Sequence, residues 1–306
     1  MEKRVIIISG PTCSGKTKLA IQVAQRLGSE VISADSRQVY ELVNIGTAKP
    51  SSEELTLVKH HLIGTIKLDD TYSAHRFEKD SLEIIDSLHI KKLIPVVAGG
   101  TGLYIKALKE GIFDNVDVKP GVREEIMEIR EKHGNLFIYN MLREKDPDSA
   151  ENMLPQNWKR VVRALEIYNS TGVSILKHRE NYKRVNHLEF IHIGINIERS
   201  ILYQNIDFRV DNMIEAGLVN ETKDILSKGF RKDCNALNTV GYKEIISHLD
   251  GEIDFEQAVY LIKRNSRRYA KRQITWFNSD KEILNFSDED LSNNNLDKIL
   301  SNKLGI

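Results

Sequence analysis

Two cysteines in 306 residues, Cys13 and Cys234, are too few and too far apart for a disulfide framework or a four-cysteine zinc site. Long apolar runs are lacking as well. The run from Val5 to Ile8 falls short of the roughly 10-residue apolar region of a signal peptide, and nothing approaches the ~20 residues of a membrane span. These absences lead us to expect a cytoplasmic protein with no membrane anchor. Net charge is missing too: 44 basic and 44 acidic residues cancel, so no global field points to nucleic acid and only local clusters can do so. What is present is a 41% hydrophobic content, enough over this length to bury a substantial core.

Val5 to Ile8 is a β-branched run, as in a parallel strand covered on both faces, and Lys18 to Leu27 reads as a helix. Further strands are expected at Glu30 to Ala34, Leu93 to Ala98 and Phe190 to Asn196, beside helical patterns such as Phe77 to Leu88. The alternation gives an α/β fold: a P-loop parallel sheet core flanked by helices, with a helical insertion domain. We expect the core in residues 1–114 and 188–278, the insertion in 115–187, and a loosely packed polar tail in 279–306. The insertion carries helical patterns near Val122 to Lys132, Leu136 to Glu144 and Asn157 to Ser170, and the polar stretches FDNVDVKPG and KHRENYKRVNH flank it as hinges. After Ser200 the expected helices are Val210 to Lys228, Tyr242 to Leu249 and Phe255 to Phe277.

The residues Gly10, Pro11, Thr12, Cys13, Ser14, Gly15, Lys16 and Thr17 fit G-x-x-x-x-G-K-[ST] between a strand and a helix, the context that phosphate-binding loop requires. Backbone N–H groups and a helix N-terminus would surround an anion, Lys16 adds a point charge, and the Thr17 hydroxyl reaches a magnesium ion. The second strand ends in Asp35, which could cap a helix, bind magnesium or act as a general base; Ser36, Arg37 and Gln38 follow it. Ala98-Gly-Gly-Thr101-Gly is a third loop at a strand end, where open α/β sheets place ligands. Near the C-terminus Arg264, Arg267, Arg268, Lys271 and Arg272 share one helical face with no acid among them, a solvated stripe or a nucleic-acid footprint. Trp158, Lys159, Arg160 and Arg163 repeat the basic pattern in the insertion.

The strings GPTCSGKT, DSRQVY, GTAKP, HHLI, YSAHRF, GGTGLY, RALE, GYKE and YAKRQITWF occur in this order between residues 10 and 277. In them the chain resembles the bacterial tRNA dimethylallyltransferase family along nearly its whole length. The resemblance implies that the loop holds the diphosphate of dimethylallyl diphosphate, a leaving group on carbon, and that the acceptor is N6 of the adenosine 3′ of the anticodon. It makes Asp35 the general base, with Thr101 and Arg123 near the reacting centre. Arg209 and the loop, Lys16 included, would hold the diphosphate, with Mg2+ at Thr17. Contacts to the tRNA anticodon loop would come from Asp35, Ser36, Arg37 and Gln38, from Gln156, Asn157, Trp158, Lys159 and Arg160, from Asn238, Thr239, Val240, Gly241, Tyr242 and Lys243, and from Lys271, Arg272 and Gln273. A monomer is expected. The chain departs from the family at Cys13, where many members have Ala, at Asn278, and at Asn157-Trp158-Lys159. A P-loop small-molecule kinase and an isopentenyltransferase on free adenine nucleotides remain the alternatives; neither needs the basic stripe.

Overall fold

The computed structural model of the chain describes residues 3–112, 118–181, 187–287, 290–291 and 293–304. It divides into two units, Met1–Glu110 with Asn186–Ile306, and Gly111–Val185. The two expected hinges lie in part outside the described residues, at 113–117 and 182–186.

The first unit starts with β1 (Lys3–Ser9), α1 (Lys16–Arg26), β2 (Val31–Ser33), α2 (Ser52–Leu57), β3 (His60–His61), α3 (Ala74–Ile90), β4 (Val96–Gly99) and α4 (Gly102–Glu110). The second unit holds α5 (Val122–His133), α6 (Asn135–Lys145), α7 (Pro147–Glu151), a 3₁₀ turn at Pro155–Asn157, α8 (Trp158–Thr171) and α9 (Ile175–Asn181). The first unit then resumes with β5 (Leu188–Asn196), α10 (Arg199–Glu215), α11 (Leu218–Ser227), α12 (Tyr242–Leu249), α13 (Phe255–Phe277), β6 (Leu284–Ser287) and α14 (Asn293–Leu304).

The six strands form one parallel sheet in the order β3-β2-β4-β1-β5-β6. Strand β1 is central, with Ile6 beside Val96 on one side and Ile191 on the other. Val5, Ile6, Ile7 and Ile8 are all fully buried, which is why the run shows no polar alternation. The carboxyl ends of β1, β2 and β4 therefore come together. Gly99 makes the approach close: a Cβ there would lie 2.1 Å from the Ala34 carbonyl oxygen, so a side chain would push β4 from β2 just where Asp35 begins.

Two expectations need correction. The single helix expected over Val210 to Lys228 is two, because Gly217 takes φ 96° and breaks the run between α10 and α11. The tail is not loose: β6 pairs with β5, and Leu291, Leu296 and Leu300 are buried in the main core against α1 and the sheet. Polar composition hid three leucines at 291, 296 and 300, a spacing close to one face of a helix. The second unit has its own core, with Ile126, Ile138, Leu142, Val161, Leu165 and Ile175 inside. Among the described residues no helix is long and apolar enough to cross a membrane.

Candidate active site

The loop between β1 and α1 ends at Gly15, whose φ of 83° sets up the helix start while offering no side chain to cap it. No acidic residue lies in the first turn of α1. The positive end of the helix is thus left for an external anion. Lys16 donates to the Pro11 carbonyl at 3.2 Å, and burial pushes its ammonium below the ordinary lysine range, with Asp35 opposing the shift and Arg209 adding to it. From α10, Arg209 donates to Thr12 Oγ1 at 2.8 Å and to the Thr47 carbonyl at 3.4 Å.

Asp35 closes β2 in a tight turn: its Oδ1 accepts the backbone N–H groups of Arg37 at 2.8 Å and Gln38 at 3.2 Å. Its Oδ2 has no hydrogen-bond partner among the described residues. One oxygen fixes the carboxylate and the other is left to act. Thr101, at the start of α4, accepts the Ser36 N–H at 3.0 Å and donates to Ser36 Oγ at 3.4 Å, so two loops from different strands share one hydrogen-bonded seam. Arg37 reaches the Asn235 carbonyl oxygen and side chain.

Lys16, Asp35, Ser36, Arg37 and Arg209 line one cavity of about 310 Å3 together with Thr12, Cys13, Thr17, Met213, Asn238, Thr239, Val240, Lys243 and residues of α13, while Thr101 stands behind it. Helix α13 presents Ile262, Ser266, Tyr269 and Gln273 to it, at spacings i, i+4, i+7 and i+11, with Arg272 at the edge. Sequence reasoning followed the neighbouring charged stripe and missed Tyr269. Burial together with Asp35 pushes its phenol up to about 12, so it stays protonated and can donate. The signal was present as the tyrosine of YAKRQ, one turn before Gln273.

Several residues expected at the RNA have polar atoms committed within the protein. Gln273 is buried; its Oε1 accepts the Thr12 N–H at 2.8 Å and its Nε2 donates to the Gly100 carbonyl at 2.9 Å, tying the phosphate loop to the β4–α4 turn. Tyr242 is fully buried and bonded to Glu221 and Gly46. The Gln38 amide donates to the carbonyls of Thr47 and Ala48 and accepts from Ser33. The basic stripe is also shorter than expected, since α10 supplies the missing acids: Asp207 pairs with Arg267 and Asp211 with Lys263. Arg268, Lys271 and Arg272 remain exposed on α13.

The other expected residues lie in the second unit. Arg123 pairs with Glu166 at 3.4 Å on α8, and Arg163 pairs with the same oxygen at 3.0 Å. Trp158 packs against that unit's core while the Arg130 guanidinium sits 3.8 Å from its ring centroid. Gln156, Asn157, Lys159 and Arg160 are exposed around the start of α8.

Among the described residues no group of three or more His, Cys, Asp or Glu side chains could hold a metal by itself. Magnesium does not require one, since it keeps waters and takes substrate phosphate oxygens beside one or two protein groups. The Thr17 hydroxyl, which lines the cavity, fits such a site.

A parallel sheet whose strand ends bring a glycine-rich anion loop, a carboxylate and a second glycine turn around one polar cavity defines a P-loop α/β protein built around a phosphorylated ligand. A family model described as IPP transferase matches residues 38–280, and the chain belongs to that family. It is 43% identical to the tRNA dimethylallyltransferase of Thermotoga petrophila over 92% of this chain and 91% of that one. To the tRNA dimethylallyltransferase of Alkaliphilus metalliredigens it is 40% identical, over 100% of this chain and 98% of the other. The crystal structure of the full-length tRNA isopentenylpyrophosphate transferase from Bacillus halodurans is similar with a TM-score of 0.73 at 35% identity, covering 99% and 97% of the two chains. A eukaryotic dimethylallyltransferase acting on tRNA matches with a TM-score of 0.82 at 29% identity, over 98% of this chain and 79% of that one.

Proposed function

We propose that the protein transfers the dimethylallyl group of dimethylallyl diphosphate to N6 of the adenosine 3′ of the anticodon, position 37, in tRNA, releasing diphosphate and leaving N6-isopentenyladenosine. The observation that carries this reading is the cavity itself: a phosphate loop and Asp35 face the same space, and the carboxylate keeps one oxygen uncommitted. The N6 lone pair forms a bond to C1 of the dimethylallyl group while the C1–O bond breaks and its electrons leave with diphosphate. The N6 proton passes to Asp35 Oδ2. Lys16, Arg209 and the amino end of α1 stabilise the charge that grows on the leaving oxygen. When bound at Thr17, magnesium neutralises part of the diphosphate charge.

Thr101 holds the Asp35 turn through Ser36, Tyr269 lines the same cavity, and Ser36 and Arg37 face the incoming base, which must leave its stack to enter. Arg123 would act from the second unit. The exposed basic residues Arg268, Lys271 and Arg272, with Lys159 and Arg160 of the second unit, supply phosphate contacts. The protein would work in the cytoplasm, as a monomer. Incubation of the full chain with dimethylallyl diphosphate, magnesium and unmodified tRNA, followed by mass analysis of the nucleosides, tests the reading. We expect N6-isopentenyladenosine in tRNA and none from free AMP. Phosphoryl transfer from ATP with no prenylated adenosine would refute it.

A further inference from the structure

The segment from Asn44 to Ala48 forms one wall of the cavity through Gly46, Thr47 and Ala48, yet what holds it lies outside that space. Three successive backbone N–H groups of this loop converge on one carboxylate, Glu221 of α11. Asn44 donates to Oε2 at 3.0 Å, Ile45 to both oxygens at 3.0 Å, and Gly46 to Oε1 at 3.4 Å. Tyr242 of α12 donates its hydroxyl to Glu221 Oε1 and in turn accepts the Gly46 N–H at 3.1 Å. A turn of consecutive N–H groups is an anion-binding concavity, and here the protein fills it with its own side chain. Gly46 is required for the fit, since a Cβ at that position would lie 2.5 Å from the Tyr242 ring.

The loop faces the other way with its carbonyls. The Thr47 carbonyl accepts from Arg209 Nη2 and Gln38 Nε2, and the Ala48 carbonyl accepts from Gln38 Nε2. Neither Glu221 nor Tyr242 lines the cavity. We propose that Glu221 and Tyr242 are positioning residues for diphosphate recognition: they fix the 44–48 loop, and the loop's carbonyls fix the direction in which Arg209 meets the ligand. The neighbouring turn of Asp35 meets this loop through Gln38, but Thr101 and its own N–H bonds hold it besides, so the carboxylate keeps its geometry when the latch is cut.

The inference rests on the reading of the cavity as a diphosphate site, so the test begins with inorganic diphosphate and magnesium titrated calorimetrically into the full chain. Glu221→Ala should weaken binding by about 10- to 100-fold, the size of a hydrogen bond to a charged group, and Tyr242→Phe by about 3- to 10-fold. Glu221→Gln keeps one acceptor oxygen and should fall between Glu221→Ala and the wild type. In the transfer reaction the KM for dimethylallyl diphosphate should rise by the same factors while kcat at saturation and the KM for tRNA stay within about twofold. A structural role alone would lower kcat and raise both KM values together. Unchanged diphosphate affinity in Tyr242→Phe, or parallel losses of diphosphate and tRNA binding, would overturn the proposal; Tyr242→Phe decides alone if Glu221→Ala does not fold. A wild-type chain that binds no diphosphate would overturn the functional reading as well.

Discussion

Asp35 is asked to do two things with one carboxylate: Oδ1 caps its own turn, and Oδ2 takes the proton. Asp35→Ala should lower kcat by ~10²–10⁴ with tRNA affinity little changed, as for loss of general-base help; normal turnover in single-turnover assays would remove it from the mechanism. His192 on β5 supplies a stability prediction. It is buried with Nε2 on Ser9 Oγ at 2.9 Å, facing Lys109, Asp280 and Glu282, and burial with the Lys109 charge pushes it down to about 4 from its ordinary 6.5. Between those values the unfolded chain takes up a proton that the folded chain refuses. Its contribution is therefore complete above pH 6.5 and is lost as pH falls toward 4, by about 3 kcal/mol. Urea unfolding of His192→Gln should show a correspondingly flatter acid limb, and an identical limb would exclude His192 as its source. Lys16 and Asp35 were legible because strand, loop and side chain are contiguous in sequence. Glu221 and Tyr269 were not, since Glu221 meets Gly46 from 175 residues away and Tyr269 shares its cavity with Asp35, which is still more distant along the chain.

At the scale of the element, α13 shows why a charged stripe cannot be read from its own helix alone. Spacing put five basic residues on one face, but Asp207 and Asp211 belong to α10, and the packing of two helices decides which cations are neutralised. Arg268 and Lys271 are exposed on α13. Replacing both with Ala should weaken tRNA binding and reduce the slope of log K against log salt by about 1.5 to 2, with diphosphate binding unaffected. Arg267→Ala should change that slope little; a filter-binding salt series separates the two, and an Arg267 effect as large as the pair's would contradict the assignment. The strands and long helices were legible where burial makes the pattern uniform, as in Val5 to Ile8. The break at Gly217 was missed because apolar periodicity continues through it, and only the positive φ ends the helix.

At the scale of the whole molecule, the parallel sheet gathers three loops at one edge, and β6 and α14 help hold that sheet together. Strand β6 extends it beyond β5, and α14 covers α1 with Leu296 fully buried. Leu296→Ala should cost about 2–5 kcal/mol in urea unfolding, as for a leucine removed from a packed core; a cost below about 1 kcal/mol would mean that the tail packs loosely after all. Neither β6 nor α14 was legible, because polar composition masked a burial set by distant strands. The central claim is that this sheet edge handles a diphosphate leaving group on carbon and not a phosphoryl group. The direct measurement uses dimethylallyl diphosphate labelled with oxygen-18 in the C1–O–P bridge, turned over by the full chain on unmodified tRNA. The account predicts that all of the label appears in released diphosphate, with one prenylated adenosine formed per diphosphate. Label retained on carbon as dimethylallyl alcohol, with no prenyl group on the RNA, would contradict it.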